Sequence, residues 1–187
     1  MQISEPAEYA ILGLLNERPM HGYELFQHFE GGTIGEIVHL EMSQMYAYLK
    51  KLERLDAITP EIEAQGMRPP RKVYHLTTQG RAAFSAWLMQ TVEKPRDIRI
   101  FFLLKLYFVQ QFQSQQMHSL VAQQIDACQR FLAHLEARQQ NDQQHYDEAG
   151  FLDHVVLRSR IHQTRALLDW MRELQEELSE QSISKGV

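Results

Sequence analysis

Hydrophobic positions early in the chain recur at helical spacing. Ala10, Ile11, Leu14 and Leu15 lie close to one face of a first helix. Ser4, Glu5 and Pro6 mark its start: a capping hydroxyl, then an acid and a proline in the first turn. Pro19 ends it, because proline disfavours the helical conformation of the residue before it. A second helix is predicted from about residue 21 to residue 30, burying Leu25, Phe26 and Phe29, with Gly31 and Gly32 as its stop. The third starts at Ser43. Met42, Met45, Leu49 and Leu52 share one side of it, and Ser43, Gln44, Ala47, Lys51 and Arg54 the other, with Lys50 beside them and Tyr46 and Tyr48 on the flanks.

The period then changes from helical to alternating. Ile58 and Ile62 alternate with polar residues, and Tyr74 and Leu76 share one side of a second strand. Gly66, Pro69 and Pro70 between them supply loop chemistry, so the pattern predicts a hairpin, and Pro60 places its first strand at an edge. Thr77 or Thr78 caps a fourth helix that runs through Trp87 and Leu88.

Beyond Val92-Glu93-Lys94-Pro95 the pattern changes again. From Ile98 to Phe112 the chain is apolar almost all round, which requires burial on more than one side. Two further helices carry seams spaced alternately by four and three: Met117, Val121, Gln124, Cys128, Phe131 and Leu135, then Leu157, Ile161, Thr164, Leu168, Met171, Gln175 and Leu178. Two seams and an all-round apolar helix are more than one hairpin covers, so self-association is expected; a monomeric helical bundle is the alternative. Phe101, Phe108, Leu157, Ile161, Leu168 and Met171 are the candidate dimer contacts.

Three helices followed by a hairpin is the order of a winged helix-turn-helix, whose third helix enters the major groove while the wing lies along the backbone. The expected architecture is mainly α with a small β-hairpin wing. A winged helix-turn-helix covers residues 1–92 and a helical dimerisation domain residues 93–187.

Charge sharpens this picture. The chain has 24 Asp and Glu against 19 Lys and Arg, a formal charge of -5, which argues against indiscriminate nucleic-acid binding. Yet residues 68–81 hold Arg68, Arg71, Lys72 and Arg81 and no acid. Cations on a wing neutralise phosphates and release counterions whatever the total charge. Ser43, Gln44, Lys50, Lys51 and Arg54 of the third helix, with Arg68, Arg71 and Lys72 of the wing, are therefore the candidate contacts to double-stranded DNA.

Other chemistry is sparse. The nine histidines form no His-x-x-x-His or Cys/His cluster, so no metal site is expected. There is no glycine-rich phosphate loop, and Cys128, the only cysteine, has no adjacent base, so neither an enzyme nor a cofactor is expected. No basic leader and no apolar run long enough to span a bilayer point to a cytoplasmic protein without membrane attachment. Trp87 and Trp170 are candidates to line a pocket for a small aromatic or hydrophobic effector, although large aromatics at helix contacts more commonly serve packing.

Three segments, AILGLLNERPMHGYEL, MYAYLKKLERLDAIT and RKVYHLTTQGRAAF, resemble the PadR family of bacterial transcriptional regulators over the first half of the chain. The resemblance implies a homodimeric repressor on a palindromic promoter operator, released in some members by a small molecule. It also implies a phosphate contact from the Tyr46 hydroxyl. The chain departs from the family where many relatives have glycine after the third helix; Asp56-Ala57 stands there. A winged-helix adaptor that binds protein through a coiled-coil-like tail is the competing function.

Overall fold

The computed structural model describes residues 2–65, 68–142 and 150–184. Helix α1 (Pro6–Glu17) starts from a capping box rather than from the Ser4 hydroxyl. The Glu8 carboxylate reaches back to accept from the backbone N–H groups of Ser4 at 2.9 Å and Glu5 at 3.1 Å. A two-residue strand β1 (Met20–His21) leads into α2 (Gly22–Glu30), whose first turn is capped by His21 Nδ1 accepting from Glu24 N. Helix α3 (Gly32–Ile37) follows, with Gly32 at φ +72°. Neither β1 nor α3 is legible in the sequence pattern, because two and six residues are too few to display a period.

Helix α4 (Met42–Arg54) is the expected third helix. Strands β2 (Ile58–Gln65) and β3 (Arg68–Leu76) form the hairpin, and the sheet order is β1-β3-β2. Pro60 lies on the edge strand, as its missing N–H requires. Helix α5 (Thr78–Leu88) is capped by the Thr77 hydroxyl, which accepts from Gly80 N at 3.0 Å.

The chain divides into two compact units, Met1–Gln90 with Ile100–Phe112, and Thr91–Arg99 with Gln113–Val187. The apolar run is not one regular helix. A short α6 (Pro95–Asp97) passes through a π-helical stretch, Ile98–Phe102, into α7 (Leu103–Phe112).

In the first unit α7 packs against α1, α3 and α5. The Phe108 ring lies over Gly13, where an added Cβ would fall 2.3 Å from a ring carbon, and meets Phe84 edge-on at 5.3 Å. That close approach is the physical need for the glycine in Ile-Leu-Gly-Leu-Leu. Tyr9 stacks on Trp87 at 4.3 Å between ring centres.

Lys105, 2% exposed, lies in this core. Its ammonium donates to the Trp87 carbonyl and, at 2.6 Å, to the Gln90 carbonyl, and sits 4.6 Å from the centre of the Trp87 ring. The Trp87 carbonyl, which also accepts from Gln90 N at 3.1 Å, the Gln90 carbonyl just beyond α5 and one aromatic face replace its hydration. Burial pulls its pKa down to about 8.

In the second unit α8 (Met117–Asp142) and α9 (Phe151–Ser184) form a helical hairpin. Leu135 packs with Leu157 and Ile161, and Arg165 reaches Glu136 at 2.7 Å. Gln124, 1% exposed, holds the backbone of Val92 through both its amide atoms, accepting from N at 2.7 Å and donating to O at 2.8 Å. Among the described residues no helix is long and apolar enough to cross a membrane.

Candidate nucleic-acid interface

Helix α4 buries Met45, Leu49 and Leu52, which leaves Ser43, Gln44, Tyr46, Ala47, Lys50 and Arg54 exposed. The Tyr46 ring rests on Gly22, where a Cβ would come within 3.0 Å of it. A larger residue in the His-Gly-Tyr-Glu-Leu segment would push that ring away. Tyr46 stays 51% exposed, its hydroxyl free to reach outward.

Between α4 and the hairpin runs a cleft of about 510 Å³ lined by Tyr46, Lys50, Glu53, Arg54, Lys72 and Tyr74. Three cations and two phenols converge on it with one carboxylate. Burial, aided by the charge of Glu53, raises the Tyr74 pKa, so this phenol keeps its proton. A concave surface of this composition suits a phosphate.

Successive strand residues face opposite ways. Lys72 pairs in register with Ile62 and shares the cleft face with Tyr74. Arg71 lies opposite Glu63 on the other face, where its guanidinium reaches the carboxylate at 3.2 Å. The two adjacent wing cations therefore cannot act on one side together. The side chain of Arg68 lies outside the described ones. Ile62, which alternation puts on the same strand face as the buried Ile58, is 71% exposed.

Two of the expected groove contacts have other partners. Lys51 is turned inward: its Nζ lies 2.5 Å from the fully buried carboxylate of Glu8, which ties α4 to the start of α1. Gln44 closes a capping box, its Oε1 accepting from Glu41 N at 3.0 Å, so its amide NH2 alone points outward to donate.

The Leu-Thr-Thr-x-Gly run beside the cations is a structural clasp. The Thr77 hydroxyl donates to the Asp56 carbonyl at 2.6 Å and lies 3.0 Å from that of Ala57, while Gln79 donates to the Leu55 carbonyl at 3.1 Å. Gly80 is packed so closely that a Cβ would fall 2.0 Å from the Ala57 oxygen. Asp56 adopts φ +52°, a left-handed conformation that aspartate tolerates better than most residues. The clasp fixes the turn by which α4 hands the chain to the wing.

A family model of PadR-like transcriptional regulators matches residues 11–86, and one described as the C-terminal part of virulence activator alpha matches residues 98–179. Residues 11–86 are a PadR-like transcriptional-regulator domain. Negative transcriptional regulator PadR of Bacillus subtilis is 26% identical over 172 residues, which span 89% of this chain and 94% of that one. Its crystal structure with operator DNA matches at 24% identity and TM-score 0.47, covering 95% of this chain and 99% of that one. Its structure with p-coumaric acid matches at 23% identity and TM-score 0.42, covering 94% and 99%.

In this PadR-like chain the expected dimer contacts are mostly consumed within one protomer. Phe108 fills the core of the first unit, and Leu157, Ile161, Leu168 and Met171 are buried in the second. Phe101 is half-buried, edge-on to Tyr9 at 6.4 Å. A heptad seam specifies a packing partner but not which chain supplies it. What α9 leaves exposed is an unforeseen apolar face: Phe151, Leu152, Val155 and Val156.

The two tryptophans lie in different units. Trp87 is 6% exposed and enclosed by Tyr9, Phe84 and Lys105, and Trp170 is half-buried in the other unit. A groove of about 620 Å³ within the second unit is lined by Phe131, Val155 and Val156 together with Lys94, Arg96 and Arg160.

Proposed function

We propose that this PadR-like regulator is a repressor that binds double-stranded DNA as a homodimer on inverted half-sites. The observation that carries the reading is the cleft beside α4, where Lys50, Arg54, Lys72 and the phenols of Tyr46 and Tyr74 converge. Ser43 and the Gln44 amide are the residues offered to base edges, and Lys50, Arg54, Lys72 and Tyr46 to phosphates. The name of the Bacillus subtilis relative as a negative regulator supports repression. The exposed Phe151, Leu152, Val155 and Val156 support self-association, since soluble monomers rarely expose such clusters. Release by an effector is supported by the groove of the second unit, whose mixed apolar and basic lining suits a small amphipathic acid.

The test is a salt series on a duplex selected from a random pool by the wild-type protein, with a scrambled duplex alongside. Lys50→Ala and Arg54→Ala each lower the log-affinity versus log-salt slope by about one unit. Lys51→Ala leaves the slope unchanged and lowers stability by roughly 3–5 kcal/mol, because it strands the buried Glu8 carboxylate. Unchanged slopes for both Lys50→Ala and Arg54→Ala would refute the assignment of the cleft and favour the adaptor.

A further inference from the structure

The motif glutamate of Tyr-x-x-Leu-x-x-Leu-Glu has no part in the phosphate contacts. It is Glu53, the one carboxylate lining the cleft, and it lies 3.7 Å from Lys72 Nζ. The same arrangement recurs on the other face of the wing, where Glu63 lies 3.2 Å from Arg71 and Glu61 lies 3.1 Å from His75. Arg71, Lys72 and His75 thus each have a wing or α4 carboxylate within 3.7 Å. Within the stretch 68–81, acid-free in sequence, Arg71, Lys72 and His75 meet acids supplied in space by α4 and β2.

These pairs are open to exchange. Lys72 is 53% exposed and its partner 37%, and 3.7 Å is too long for a hydrogen bond. Exposed pairs of this kind add little stability. Their effect on a polyanion is larger, because a phosphate entering the cleft must displace Glu53 from Lys72 and then remain beside an uncompensated carboxylate.

We propose that Glu53, Glu61 and Glu63 are specificity-determining residues that hold down sequence-independent DNA affinity by occupying the wing's cations. The inference rests on the DNA-binding reading above. With the wing self-neutralised, phosphate attraction falls chiefly to Lys50 and Arg54, and tight binding requires the base contacts of α4. An acidic regulator of this kind spends less of its time on the vast excess of non-operator DNA.

The experiment measures affinities of the full-length protein for the selected and scrambled duplexes across a salt series. The variants are Glu53→Gln, Glu63→Gln, Lys72→Ala and the double variant Glu53→Gln/Lys72→Ala. Glu53→Gln is expected to bind the scrambled duplex about threefold more tightly at low salt, with a slope steeper by about one unit. Glu63→Gln should act likewise through Arg71. In the Lys72→Ala background the Glu53→Gln gain should largely vanish, which a purely structural role for Glu53 would not produce. Unchanged or weaker binding of the scrambled duplex by Glu53→Gln overturns the proposal, and so does a gain that survives loss of Lys72. Wild-type protein that binds neither duplex would instead remove the DNA-binding reading.

Discussion

Lys105 gives a pH dependence whose sign follows from its surroundings. Its ammonium is buried among α1, α5 and α7 with the Trp87 and Gln90 carbonyls as acceptors, and the pKa falls from 10.5 to about 8. The folded state therefore releases this proton at lower pH than the unfolded chain. Below about pH 8 both states hold it, and the folded state carries the full cost of a buried charge. Between pH 8 and 10.5 the unfolded chain binds more protons, so stability rises with pH. The whole rise, at about 1.36 kcal/mol per pH unit, is about 3 kcal/mol. About 2 kcal/mol of it falls between pH 7.5 and 9.5.

Tyr9, Tyr48, Tyr74 and Tyr107 act in the opposite direction near pH 10 and above, because burial raises each of their pKa values. Urea denaturation of wild type and Lys105→Met at equal protein concentration separates the effects, since the tyrosines are common to both. The stability difference should move by about 2 kcal/mol in favour of wild type as pH rises from 7.5 to 9.5. A difference that stays flat across this range would mean that Lys105 titrates as in water, and the buried ammonium would be refuted.

Gly80→Ala should destabilise by about 3 kcal/mol or more, because the added carbon meets a backbone carbonyl that the Thr77 clasp holds in place. Denaturant unfolding checks this, and a loss below 1 kcal/mol would mean that the clasp yields. Leu152→Asp, on the exposed face of α9, should leave circular dichroism unchanged and dissociate a dimer in light scattering. Leu168→Asp buries a carboxylate inside the hairpin, costs several kcal/mol, and should reduce helicity itself.

Much of the fold was legible because it repeats. The buried triad Met45, Leu49 and Leu52, the edge position of Pro60 and the Thr77 cap all follow from period or local chemistry. Other features were present in the sequence under a different rule. Arg71 and Lys72 are neighbours in a strand, so alternation alone puts them on opposite faces. Glu41-x-x-Gln44 is a capping-box spacing, and a single lysine in the apolar run 98–112 signals a buried cation. The Lys51–Glu8 pair had no such signal, since 43 residues separate its members and only the packing of α4 on α1 joins them. The seams of α8 and α9 were legible as spacing, and Leu157, Ile161, Leu168 and Met171 on them are buried within one protomer; periodicity carries no label for intra- or intermolecular.

The path of the chain between its two units bears on how such proteins can diversify. The polypeptide leaves the first unit after Gln90, returns at Ile100 to lay Phe108 over Gly13, and leaves again after Phe112. A DNA-reading cassette therefore cannot be exchanged between relatives by one recombination event near residue 92. Such a crossover would join a foreign α7 to a native α1, and the fit of an aromatic ring over a bare glycine would have to survive the transfer. The two units are expected to be inherited together rather than shuffled as whole modules.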